Sequence, residues 1–183
     1  MFERLNTPDE AYHYKLGAAL NMERTVLKIL DANISEAQDE QVAALFREHR
    51  EESEQHVTNL EEVFRMLGWE VDDSPCPAID GIQAEGKANA KKTDNTLVDN
   101  VLLQGAVETE HHEIAVYENL IINARAMGHE DVVAALQRNL QSEQATLEKV
   151  RQAEERVAAV TPQHPAGSQN ESMVDRVKST LSS

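Results

Sequence analysis

The chain has 183 residues, enough for one domain with a sizeable core, and a formal charge of −16. Such a charge argues against a nucleic-acid partner, which needs clustered Lys and Arg, and no apolar run approaches the roughly 20 residues of a membrane span. Aromatics at 4%, few Gly and Pro, and a wealth of Ala, Leu, Val, Glu and Gln exclude a β protein and describe an all-α one.

Thr7-Pro8-Asp9-Glu10 is a capping box with Pro at the first helical position. It opens a helix over roughly 8–33, whose apolar stripe runs through Tyr12, Leu16, Leu20, Glu23, Val26, Leu27 and Leu30. Ser35 is expected to cap a second helix over roughly 36–67, with stripe Val42, Leu45, Phe46, His49, Glu52, His56, Leu60 and Val63, ended by Gly68. A connection follows, then a short helix over roughly 77–91, weakened by Gly81 and Gly86. Asp94 or Thr96 starts the third long helix, which runs to Met127 with stripe Leu103, Ala106, Glu110, Glu113, Tyr117 and Leu120. The fourth covers roughly 130–160, with Val133, Leu136, Leu140, Glu143, Leu147 and Val150.

Two tight connections and one long one give two helical hairpins joined by a crossover. The expected fold is therefore an all-α, ferritin-like four-helix bundle with a short additional helix in the crossover. It fills residues 1–160, and 161–183 are expected to form a polar, mobile tail, the alternative being one short docked helix through Met173, Val174, Val177 and Leu181. The N-terminal stretch MFERLNTPDEAYHYK lacks a signal-type apolar region, and Cys76 is the only cysteine. Together these lead to a cytoplasmic expectation with no intrachain disulfide. The scarcity of Lys beside Asp and Glu also suits a high-salt cytoplasm.

Each long helix carries a carboxylate near mid-length inside its apolar stripe. A single such Glu ordinarily sits at the rim, with its stem buried and its head in water. Four helices repeating the pattern point to one shared cause, because a lone buried carboxylate costs several kcal/mol unless paired or bound to metal. At about 100° per residue, Glu23 lies at the centre of its arc and His49 and His56 are mid-arc. Glu52 lies at the edge of its arc, while Glu110 and Glu113 flank the line of Leu103 and Tyr117. Clustered carboxylates without a cation would repel and take up protons. Carboxylates with an imidazole suit two divalent ions of the iron or manganese kind better than a thiolate zinc site. The expected ligands are Glu23, His49, Glu52, Glu110, Glu113 and Glu143. His56 and Tyr117 stand behind them as supporting groups. His56 is about 10 Å along the axis from His49, too far to share one ion. Glu108-x-x-His111 points to solvent and Glu10-x-x-His13 lies in the first turns, so neither di-iron-type pair is taken as ligating. His112 and His129 are assigned to the surface or to supporting positions.

At these residues the chain resembles the YciE/YciF-type proteins, a ferritin-like group associated with stress and with a ferroxidase assignment. The matching runs are His49-Arg50-Glu51-Glu52-Ser53, Cys76 to Gly86, Glu110-His111-His112-Glu113-Ile114-Ala115-Val116-Tyr117, and Leu140 to Thr146. Together they span about 10–155. Ser53 and His112 stand where the family has Thr and Tyr, and Thr146 where a second Glu-x-x-His motif would place His. The resemblance implies the bundle and a homodimer. The expected reaction is oxidation of Fe(II) by dioxygen or peroxide, with iron favoured over manganese. The rivals are peroxide disproportionation at a di-manganese centre and a non-catalytic dimeric stress or scaffold bundle.

Overall fold

The computed structural model describes residues 4–161; all of the expected tail beyond Thr161 lies outside them. Five α-helices follow one another: α1 (Pro8–Glu36), α2 (Glu40–Met66), α3 (Pro77–Ala90), α4 (Val98–Ala126) and α5 (Glu130–Val160). A single 3₁₀ turn, Asn95–Leu97, leads into α4 and is capped by Asp94, whose side chain accepts from the Thr96 amide.

Local chemistry sets the helix ends. Thr7 and Glu10 form the expected reciprocal capping box at the start of α1. Ser35 does not cap α2, because α1 runs on to Glu36. The cap is Asp39, which accepts from the Gln41 amide at 2.7 Å, while the Asp99 carboxylate accepts from the amides of Gln38 and Asp39 at 2.9 and 3.0 Å. Two carboxylates thus satisfy the free amides of a very short turn, a task one serine hydroxyl cannot do. The end of α2 follows expectation, with Gly68 at φ +71°.

All four neighbouring long helices pair antiparallel. Asp31 meets Arg50 across α1–α2, and Asn59, Glu52 and Asp39 meet Asn139, Thr146 and Arg156 in turn down α2–α5. Glu23 meets Tyr117 across α1–α4, and Asn100 meets Thr161 across α4–α5. The crossover between α2 and α4 passes over α1 at Gly17. A Cβ there would come within 2.6 Å of Asp72 Oδ2 and 3.0 Å of the Ser74 amide nitrogen, so only glycine lets the two backbones approach this closely. Arg24 fastens the same segment to the hairpin, bonding Asp73 and Glu61 at 3.0 Å each. Helix α3 packs on α4 and α1, with Ile79 fully buried and Ile82 against the core. Ile79 therefore covers the apolar flank of its own bundle.

The core is two apolar ends around a polar middle. Leu16, Leu20, Leu60, Phe64 and Leu136 fill one end; Val26, Val42, Phe46, Leu103 and Val150 fill the other, all essentially without solvent contact. Each large side chain contributes about 1.5–3 kcal/mol of burial. Between these ends lie Glu23, His49, His56, Glu110, Glu113 and Glu143, none more than 3% exposed. No described helix is long and apolar enough to cross a membrane.

Candidate metal centre

Six acidic and imidazole side chains from all four long helices meet in the polar middle. His49, Glu110, Glu113 and Glu143 bring one donor atom each to within 4.8 Å of one another, and Glu23, His56 and Glu143 do the same. Glu143 belongs to both groups and joins them. His49 Nδ1 lies 3.1 Å from Glu110 Oε1 and its Nε2 lies 3.7 Å from Glu143 Oε2. His56 Nδ1 lies 2.8 Å from Glu143 Oε1 and 3.6 Å from Glu23 Oε1. The two shorter contacts have hydrogen-bond length but not hydrogen-bond direction. His56 Nδ1, both His49 nitrogens and both oxygens of Glu110, Glu113 and Glu143 thus end without a hydrogen-bond partner, as does Glu23 Oε2. Native interiors leave few polar atoms in that condition.

The charges in this cluster balance only in part. Burial pushes Glu113 well above the ordinary carboxylate range, and the charges of Glu143, Glu23 and Glu110 push it further. Burial raises Glu23 as well, with Glu143 adding to it and His56 and Tyr117 opposing. Glu110 is raised by burial to about 8, against the pull of His49. Burial would also raise Glu143, but His49 and His56 bring it down to about 2. For His56, burial is outweighed by Glu143 and Glu23, and its pKa rises to about 10; His49 is raised by Glu110 and Glu143 in the same way. The shifts thus favour the charged forms of Glu143, His49 and His56 and the protonated forms of Glu23, Glu110 and Glu113.

This placement of residues coincides with a family match. A family model described as a domain of unknown function, DUF892, matches residues 7–161. The chain belongs to the DUF892 family. Among solved structures, this DUF892 chain is similar to YcfI from Rhodopseudomonas palustris, with 31% identity over 82% of this chain and 98% of that one, at a TM-score of 0.79. It is similar to the E. coli stress protein YciF, with 21% identity over 85% and 99% of the two chains, at 0.80. A Xanthomonas campestris protein matches at 19% identity over 84% and 94%, at 0.67. The last two speak for the fold alone, that of the expected ferritin-like bundle, while the family match over residues 7–161 and the likeness to YcfI and YciF together bear out the YciE/YciF-type resemblance. No curated protein matches the chain.

Within this DUF892 bundle, five of the six sequence-predicted ligands come together: Glu23, His49, Glu110, Glu113 and Glu143. Glu52 stands apart from both groups. Its carboxylate turns to the rim of the α2–α5 seam, accepting from Thr146 Oγ1 at 2.7 Å and from Lys149 Nζ at 3.1 Å. Its place at the edge of the apolar arc is the reason, since partners lie within reach outside. His56, expected only to support, brings its ring into the second group. The axial separation from His49 keeps the two rings on different groups and does not keep His56 out of the core.

Tyr117 does stand behind Glu23, donating its hydroxyl proton to Oε1. Behind Tyr117 is Asn139, which sequence reasoning missed. It is buried, donates to the Tyr117 oxygen at 3.0 Å and to the His56 carbonyl at 3.4 Å, and accepts from Asn59 at 2.6 Å. The available signal was its position three residues after Leu136 and four before Glu143, on the inner line of α5. Glu108 and His111 are exposed, and His111 pairs with Arg151 instead. His13 packs edge-on against Phe64 and Trp69. His112 lies half-buried, 3.8 Å from the Cys76 sulfur, and His129 flanks the start of α5.

Proposed function

We propose that the bundle holds two divalent metal ions, iron before manganese, and that it oxidises Fe(II) with dioxygen or peroxide as protection against oxidative chemistry in a reducing cytoplasm. The observation that carries this reading is Glu113, which is fully buried with neither carboxylate oxygen hydrogen-bonded or ion-paired. It belongs to a site where five other residues with unpartnered donor atoms, Glu23, His49, His56, Glu110 and Glu143, converge from all four long helices. Burying one such group without compensation costs several kcal/mol, and a cation is the compensation that serves every member at once. The donor set fits, because oxygen and imidazole ligands without thiolate suit iron and manganese.

His49, Glu110 and Glu113 would hold one ion, Glu23 and His56 the other, with Glu143 serving both. In net terms, two Fe(II) reduce one dioxygen and two protons to hydrogen peroxide, or one peroxide and two protons to two waters. The rest of the work belongs to the chain. Tyr117 occupies Oε1 of Glu23 and leaves Oε2 free to face inward. Asn139 donates a hydrogen bond from its amide N–H to the Tyr117 oxygen and so directs the phenol hydrogen at Glu23. Leu20, Phe46, Leu103 and Leu136 close the middle layer above and below and keep bulk water out. We further propose that the molecule acts as a homodimer, a reading supported by its family likeness and tested by light scattering at micromolar concentration.

A non-catalytic bundle is the second reading, and one observation favours it. Glu143 between His49 and His56, with Glu110 and Glu113 protonated, would leave the core close to neutral without any ion. The metal content of protein purified without chelators separates the two, together with Fe(II) oxidation rates under dioxygen and under peroxide. Bound manganese with peroxide disproportionation would select the di-manganese version. A metal-free protein that leaves Fe(II) oxidation at the buffer rate would select the scaffold.

A further inference from the structure

One charged cluster is built directly against the buried groups without belonging to them. On the outer side of the α2–α5 seam, Lys149 Nζ sits between Glu48 Oε1 at 2.9 Å and Glu52 Oε1 at 3.1 Å. Glu52 gives its other oxygen to the hydroxyl of Thr146, itself buried. The side chain of Glu52 is 28% exposed and that of Lys149 38%, whereas Glu143 and His49 are 0% and 3% exposed. Glu52 lies three residues after His49 and four before His56, and Thr146 three after Glu143, about 4.5 Å along the axis. Because α2 and α5 run antiparallel, the Glu52–Thr146 bond stands about one helical turn along the seam from Glu143, toward solvent. Glu48 and Glu52 thus lie on the solvent side of the seam, with Glu52 one turn from His49 on α2 and its partner Thr146 one turn from Glu143 on α5.

The seam within the first hairpin is closed by guanidinium groups, as Arg156 on Asp39 closes the far end of α2–α5. Across α1–α2 the facing carboxylates are held by guanidinium forks: Arg50 bonds Asp31 and Glu54 at 2.6 Å each, and Arg24 bonds Glu61 and Asp73. Such forks are rigid and multiply bonded. The ammonium of Lys149 is a point charge on a flexible four-carbon stem, placed where a small cation would satisfy the same two oxygens. It can leave without disturbing the backbone, and the long side chain of Glu52 can then turn.

We propose that divalent cations reach the core through the α2–α5 seam, with Glu52 as the carboxylate that takes the ion from solvent and Lys149 as the internal cation it exchanges for that ion. This rests on the metal reading above. It explains why the one mid-stripe carboxylate that stands apart from the buried groups is tied to a lysine and a buried hydroxyl.

The test uses the full chain, stripped of metal with a chelator and then mixed rapidly with Co(II), whose visible absorbance reports binding. Three variants are compared with wild type: Lys149→Met, Glu52→Gln and, as a control for general charge, Lys92→Met. All three positions are at least partly solvent-exposed, and circular dichroism checks their helix content. Lys149→Met is expected to bind about tenfold faster and Glu52→Gln about tenfold slower, the low end of what local charge does to association rates. Both should end at the wild-type number of bound ions, and Lys92→Met should match wild type throughout. Wild-type rates in both seam variants would overturn the route. So would a Glu52→Gln protein that loads at the wild-type rate but binds fewer ions, since Glu52 would then be an ordinary ligand. A wild type that binds no Co(II) would instead sink the metal reading itself.

Discussion

The two halves of the buried cluster are built differently. Glu23 and His56 are held from behind: Tyr117 and Asn139 bond to Glu23 and to the backbone of His56, and Asn59 secures Asn139. Glu110 and Glu113 have no hydrogen bond to any of their carboxylate oxygens. The first half is positioned by the protein, while the second depends on a cation, or on protons in its place, for relief. The difference teaches that one half of the cluster is held by the protein's own hydrogen bonds while the other keeps side chains that protons or a cation must relieve. Preorganised ligands bind more tightly because less ordering is left to do, so the Glu23–His56 half is expected to fill first.

The largest expected effect comes from the residue the halves share. Glu143→Ala leaves His49 and His56 buried without their common partner and should destabilise the metal-free protein by about 3–5 kcal/mol, the usual result of breaking a buried pair. It should also abolish binding of both ions. Urea unfolding and a Co(II) titration measure the two effects.

Next in size, and opposite in sign for stability, is Glu113→Leu. It removes a buried carboxyl without partners, so the metal-free protein should gain about 1–3 kcal/mol, while the Co(II) stoichiometry drops from two to one. A loss of stability on urea unfolding would show that Glu113 has a partner in solution and that the two halves are not unlike.

The pH dependence of the metal-free protein sharpens the comparison further. Glu110 is raised from an ordinary 4.5 to about 8, so the folded chain keeps a proton that the unfolded chain releases. Its contribution is complete below about pH 4.5 and is lost as the pH climbs through 8. His56, raised from 6.5 to about 10, contributes fully below 6.5 and loses that contribution as the pH rises toward 10. Glu143, lowered from 4.5 to about 2, acts the other way, and its contribution fades as the pH falls toward 2. Thermal melts of the metal-free protein should therefore show stability falling from pH 6 to pH 9. Loading with metal, which replaces those protons, should flatten or reverse the slope.

The smallest effect should come from Tyr117→Phe, which removes one hydrogen bond to Glu23 and little volume. Supporting partners of this type typically change metal affinity about 10–100-fold. The loss is expected in the tighter of two binding steps, with the weaker step unchanged, and isothermal titration resolves them.

Much of this was legible in the chain. The stripe angles placed Glu23, His49, Glu110, Glu113 and Glu143 inside, because burial in a bundle is set by angle around each helix and five residues lay well within their arcs. The same angles already put His56 mid-arc and Glu52 at the edge, and the structure follows them. Judging His56 by its distance from His49 alone left out the second group, which needs a neighbour from α1 that a single helix does not reveal. Asn139 and Thr146 read as ordinary polar residues, since their roles depend on which atoms face them across the α2–α5 seam. Ser35 failed as a cap because Asp39 and Asp99, brought together only in the folded chain, outcompete one hydroxyl.

Metal stoichiometry tests the central claim most directly. Protein purified without chelators is analysed for its elements, stripped, and titrated with Fe(II) under anaerobic conditions while its melting temperature is followed. The expected result is saturation at two ions per chain in two steps, with the melting temperature rising at each step because the ions bind the folded state alone. A chain that carries no metal as purified, takes up none on titration and melts at the same temperature throughout would contradict it.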